Sequence, residues 1–192
     1  MGLLVTTSIV GLTFIIERGL ALRWKKVIPP EVEEAVDRCR SKEDLDGLHV
    51  ICDRQPSALS RLLTVAAEHL NWPKGENVNA IQTRARHEVA QLERGLVILE
   101  IVVGIAPLLG LVGTIQGLIT LFGDLGRTGM NDNAALARGI AIALNTTLAG
   151  LLTAIPSLIA WSYYNKKVET LAIEMETLCD EFVRRQYREG KK

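Results

Sequence analysis

The stretch LVILEIVVGIAPLLGLVGTIQGLITLFG, residues 96–123, decides the fold. Its only formal charge is Glu100, near one end. A bilayer core about 30 Å thick is crossed by a helix of about 20 mostly apolar residues, each rising about 1.5 Å. This stretch meets that requirement. So does 139–164, which holds no charged residue at all. Burial inside a soluble domain is the competing reading, but globular helices average only about 10–14 residues.

A first span is shorter. Residues 1–16 are apolar or weakly polar, Glu17 and Arg18 interrupt, and the apolar run resumes at 19–22. A secretory signal would need a basic n-region and a small-residue cleavage site, and both are missing. The preferred reading is a membrane helix with Glu17 and Arg18 at headgroup level, where long side chains reach out of the hydrocarbon. The natural span is expected to begin a few residues before Met1. The fold class is therefore all-α: an integral membrane protein with three transmembrane helices, the second and third being long and extending into the cytoplasm.

Basic residues near span ends set orientation. Arg18, Arg23, Lys25 and Lys26 follow the first span, Arg84, Arg86 and Arg94 precede the second, and Lys166 and Lys167 follow the third. The connection between spans two and three has only Arg127 and Arg138, balanced by Asp124 and Asp132. The N-terminus and that connection then lie outside, and the C-terminus inside. The layout is a first span at 1–22, a cytoplasmic helical insert at 23–95, a second span at 96–123, an outer turn at 124–133, a third span at 134–164 and a cytoplasmic helical tail at 165–192.

Overall charge is balanced, 22 basic against 22 acidic residues, which gives no footprint for nucleic acid. Cys39, Cys52 and Cys179 have no CxxC spacing and read as unpaired thiols. His49, His69 and His87 lack metal-ligand spacing. No nucleophile–base pair or phosphate-binding glycine loop is visible, so neither enzyme activity nor a cofactor or metal is expected.

In the insert, Pro29-Pro30 breaks the chain and Glu31 opens an acidic helix start. Short amphipathic pieces follow, interrupted at Gly47. Pro56 opens a helix to about Leu70, and residues 71–75 form a turn. From Asn77 the pattern predicts one helix running into the second span. In the tail, Val168, Leu171, Met175, Leu178 and Phe182 form a heptad-like apolar seam, suited to packing within one subunit or between subunits.

Polar and small residues inside the spans are the functional candidates. Gly110, Thr114 and Gly117 share one helix face, and Gly113 with Gly117 makes a GxxxG pair. In the third span Gly139, Ala143, Thr147, Gly150 and Ala154 form a similar stripe, with Asn145 and Thr146 beside Thr147. Such stripes let helix backbones approach closely. Pro107 and Pro156 are candidate kinks, since each removes a backbone donor. The threonine hydroxyls admit two readings, a bond back to the i−4 carbonyl or a polar path through the span. Asn131, Asp132 and Asn133 read as helix caps, and Asp124 and Arg127 as headgroup-level turn residues.

The blocks LLGLVGTIQG at 108–117 and ARGIAIALNTTLAGLLTAIP at 137–156 resemble the signature of the MotA/TolQ/ExbB family of proton-channel subunits. The specific match covers 104–165, and residues 1–95 agree in layout only. The resemblance implies a homo-oligomer, a pentameric ring, in the bacterial inner membrane. It implies a single-span partner of the ExbD/TolR kind whose membrane aspartate carries the proton, with a TonB- or TolA-like protein beyond it. Ring threonines facing that aspartate would be Thr114 and Thr147. Proton flow would turn ring against partner and do work across the periplasm. Relatives of the ExbB and TolQ branch often carry a glutamate five residues before the second threonine, where this chain has Ile142. Glu100 is placed either at a cytoplasmic proton exit or in a pair with a nearby basic group. The alternatives are a ring-forming scaffold that conducts nothing and a MotA-like flagellar stator subunit, the latter disfavoured by three spans where four are expected.

Overall fold

Among the described residues, 2–39, 44–128 and 133–189, the computed structural model contains helices and no strand. In chain order these are α1 (Gly2–Ala21), α2 (Trp24–Val27), α3 (Pro30–Arg38), α4 (Leu45–Arg54), α5 (Ala58–Glu68), α6 (Lys74–Glu93), α7 (Leu96–Thr128) and α8 (Asn133–Glu189). Three of them, α1, α7 and α8, are long and apolar enough to cross a membrane. The chain divides into two compact units. One comprises the chain up to Arg18 with Gly95–Tyr163, and the other Gly19–Arg94 with the chain from Tyr164. Helix α8 runs unbroken through the boundary.

The first unit is built inside out relative to a soluble domain. Leu108, Val112, Ile119, Leu144, Leu152 and Ile159 are large, apolar and exposed. Ala106, Ala143, Ala154, Thr146 and Ser157 are buried. A chain that hides small and polar groups and presents large apolar ones is adapted to hydrocarbon, where backbone groups are satisfied within helices and helix contacts rest on close packing. Helix α1 continues through Glu17 and Arg18 to reach 20 residues, about 30 Å. The two side chains neutralise each other, Arg18 Nε donating to Glu17 Oε2 at 2.5 Å and Nη2 to Oε1 at 2.7 Å. The Arg18 guanidinium lies over Gly95, where any Cβ would collide with it.

The second unit has a conventional core. Val32 and Val36 of α3, Leu48 and Cys52 of α4, Leu59, Leu62 and Leu63 of α5 and Ile81 of α6 pack in one buried cluster with Leu171, Met175, Leu178 and Phe182 of α8. The tail seam is thus occupied by this chain's own helices, the first of its two readings. Burial pushes the Cys52 thiol up to about 11 and the Cys179 thiol up to about 12, so both stay protonated.

Local starts follow their chemistry. Pro30 stands at the first position of α3, with Glu31 and Glu33 in its first turn. Ser57 caps α5, its hydroxyl accepting from Ser60 N at 3.1 Å. Three sequence expectations shift. Gly47 lies in the first turn of α4 instead of interrupting it. The single helix expected from Asn77 into the second span is two helices, parted at Arg94 and Gly95, although Arg94 keeps helical angles of φ −49 and ψ −37. Helix α7 continues through Asp124 and Arg127 to Thr128, so these two are helical, not turn, residues. The capping expected of Asn131 and Asp132 lies outside the described residues, and Asn133 opens α8. Helices α7 and α8 pass through Pro107 and Pro156 without a break in helical structure.

Candidate functional site

Helices α7 and α8 approach along the two stripes of small residues. A Cβ on Gly110 would lie 3.0 Å from both Thr146 O and Thr147 Cα. One on Gly113 would meet Thr146 Cβ at 2.9 Å, and one on Gly117 would meet Ala143 Cβ at 3.1 Å. One on Gly150 would meet Ala106 O at 2.6 Å, and one on Gly139 would meet Leu121 Cδ1 at 2.5 Å. At Gly110 and Gly150 the near atoms are backbone of the other helix, so the backbones come close enough for side chains of one helix to reach carbonyls of the other.

Three threonines use that closeness. Thr114 Oγ1 lies 3.2 Å from Gly110 O, 3.1 Å from Ala143 O and 3.3 Å from Thr146 Oγ1, and also hydrogen-bonds Thr147 Oγ1. Thr146 Oγ1 lies 2.7 Å from Ala143 O and 3.2 Å from Gly110 O. Thr147 Oγ1 lies 3.3 Å from Gly110 O. Each hydroxyl has one hydrogen to donate and two lone pairs to accept with. Acceptors within reach outnumber hydrogens, so the hydrogens can be redistributed by hydroxyl rotation while the heavy atoms stay put. Rotation of this kind lets a chain of hydroxyls pass or orient a proton without a fixed charge.

Other threonines of the spans behave differently. Thr120 bonds back to Gln116 O and Thr153 to Ala149 O, each at 3.0 Å, and neither has a hydrogen bond to another helix among the described residues. Thr146 is buried at 9% exposure. Thr114 and Thr147 are half-buried, so the cluster is open on one side.

The remaining candidates lie apart from this cluster. Asn145 is exposed on α8. Glu100 is exposed on α7, about 21 Å along the helix axis from Thr114. It has no ion pair among the described residues. Ile142, where a glutamate was the point of comparison, is apolar and 57% exposed. The pattern did not single out Gly11 or Ser157. A Cβ on Gly11 would lie 3.1 Å from Ser157 Oγ and 3.2 Å from Val102 Cγ1, so this glycine seats α1 against α7 and α8. A lone glycine in an apolar run has no periodic companion to mark it.

Residues 55–177 match the profile of the MotA/TolQ/ExbB proton channel family. An ExbB-like biopolymer transport protein of Synechocystis sp. is 35% identical over 166 residues, covering 82% of this chain and 63% of the relative. The biopolymer transport protein ExbB of Helicobacter pylori is 37% identical over 81 residues, 42% of this chain and 56% of that protein. The ExbB protein of Aquifex aeolicus is 30% identical over 119 residues, 62% of this chain and 80% of the relative. The chain spans less than two thirds of the first two relatives, 63% and 56%.

Proposed function

The chain belongs to the MotA/TolQ/ExbB proton channel family, and from that premise we propose that it is a ring-forming subunit of an inner-membrane, proton-driven motor that energises biopolymer transport. Its partner is a single-span protein of the ExbD/TolR kind whose membrane carboxylate carries the proton. Residues 23–95 and the C-terminal tail are cytoplasmic and the N-terminus is periplasmic, as the basic residues at the span ends argue.

The observation that carries this reading is the Thr114–Thr146–Thr147 cluster, a reorientable set of hydroxyls between two apolar helices and open on one side. It can hold water or receive a proton from a carboxylate presented at its open edge. In the third span this chain supplies no carboxylate of its own, since Ile142 stands where relatives of the ExbB and TolQ branch often carry glutamate. Deep in the pore the carrying then falls to the partner's acid, with water. The ExbB names of the relatives favour transport over a flagellar stator.

Ile142 also favours a second reading, a ring that assembles and conducts nothing. Proton flux into liposomes separates the two. With the ring and its partner reconstituted, Thr114→Val and Thr147→Val keep side-chain shape and remove the hydroxyl. The motor reading predicts measurable flux in the parent, and loss of about tenfold or more in each variant with assembly intact. Unchanged flux in the variants removes the cluster from the path, and no flux in the parent complex supports the scaffold.

A further inference from the structure

Two primary amides stand in the apolar spans without a hydrogen-bond partner for their side chains among the described residues. Gln116 of α7 and Asn145 of α8 are both exposed, and the Thr120 hydroxyl beside Gln116 donates to its backbone carbonyl, not to its amide. A primary amide carries two N–H donors and a carbonyl acceptor. Leaving these unsatisfied in hydrocarbon is costly, so a face that bears one is covered by something polar.

Their placement narrows what covers them. The antiparallel register of α7 and α8 is fixed by Thr114 bonding Thr147, by Gly117 against Ala143 and by Gly139 against Leu121. In that register Gln116 is level with Asn145. Each is two residues, about 200°, from the threonine that points into the helix contact. The amides therefore lie at one depth on opposite outer sides of the helix pair. Copies of one chain related by rotation about an axis along the spans keep every residue at its own depth. Such copies bring the outer side of one helix against the outer side of the other helix in the next copy.

We infer that Gln116 of one copy hydrogen-bonds Asn145 of the next, forming an amide contact that sets the register between subunits. This rests on the ring reading above and specifies its interface. The two amides are mutually complementary, each able to donate to and accept from the other. A second copy supplies both partners at the right depth with no other molecule required.

The test uses the full-length protein in detergent, with native mass measured first. A parent that is monomeric removes the ring reading and this pairing with it. Given a ring, subunit exchange between differently tagged copies is measured for Gln116→Leu, Asn145→Leu and the double variant. Each single change strands the other amide and is expected to weaken association roughly three- to twenty-fold. The double variant is expected to recover most of that loss, because two apolar groups replace a satisfied pair. Singles without effect, or a double variant that loses the product of the two, overturns the pairing and leaves the ring standing. Asn145→Leu that abolishes proton flux with subunit exchange unchanged assigns Asn145 to the pore and also overturns it.

Discussion

A hydroxyl in a membrane helix usually costs nothing and does little, because it can bond to the carbonyl one turn back. Thr120 and Thr153 do only this among the described residues, while Thr114 also reaches Ala143 O and two further hydroxyls across the helix contact. Residue spacing marked the face carrying Thr114 and Thr147, but could not tell a back-bonded threonine from a bridging one. That difference is made by the opposite helix, and the glycines permit it. Gly150 and Gly104 illustrate the point. A Cβ at Gly150 meets the Ala106 backbone at 2.6 Å, whereas one at Gly104 meets nothing within 4 Å. Gly150→Ala should therefore destabilise the helix pair by about 1–3 kcal/mol, because a backbone has to move. Gly104→Ala should be neutral or slightly stabilising, since alanine is the better helix former. Thermal unfolding of the two variants in detergent checks this, and equal midpoints would contradict the close approach at Gly150.

Among the elements, α5 and α6 are tied by a charge that no sequence pattern announced. Glu88 is 1% exposed, and accepts from Arg61 Nε at 2.8 Å and Nη2 at 2.5 Å, with Arg84 Nη2 at 2.9 Å. Burial pushes the Glu88 carboxyl up, but hydrogen bonds and charge from Arg61, with Arg84 and His87, outweigh it and hold it below the usual carboxylate range. A lowered folded-state value means the stabilisation is fully present above the ordinary carboxylate range and is lost as pH falls through the folded value. Glu88→Gln should cost about 2 kcal/mol at neutral pH, discounted because both arginines are partly exposed. It should also flatten the acid dependence of stability below about pH 4. Helical circular dichroism against temperature and pH checks both, and an unchanged acid limb would remove Glu88 as its source. The tail seam of α8 was legible from its period. Its partners were not, because α3, α4 and α5 come from far away in sequence.

At the scale of the whole molecule, the three spans were readable because a bilayer imposes length and apolarity locally, one segment at a time. The packing of the second unit was not, because it rests on contacts such as Tyr187 Oη donating to Trp72 O at 2.7 Å and Arg185 pairing with Asp37 at 3.1 Å, distant in sequence. Helix α8 belongs to both units, from the threonine cluster through to Phe182 in the core of the second. The small-residue stripes hold α7 to α8 within one chain, and the large apolar faces and the level amides Gln116 and Asn145 lie outside that contact. On the proposed function, copies of this chain enclose an acid-bearing span and work with it. Gentle purification of the tagged protein from its host membranes, followed by native mass measurement and identification of what accompanies it, tests this most directly. A ring of identical copies holding a single-span protein with a carboxylate in its span is the expected result. A monomer, or a ring without such a span, would contradict it.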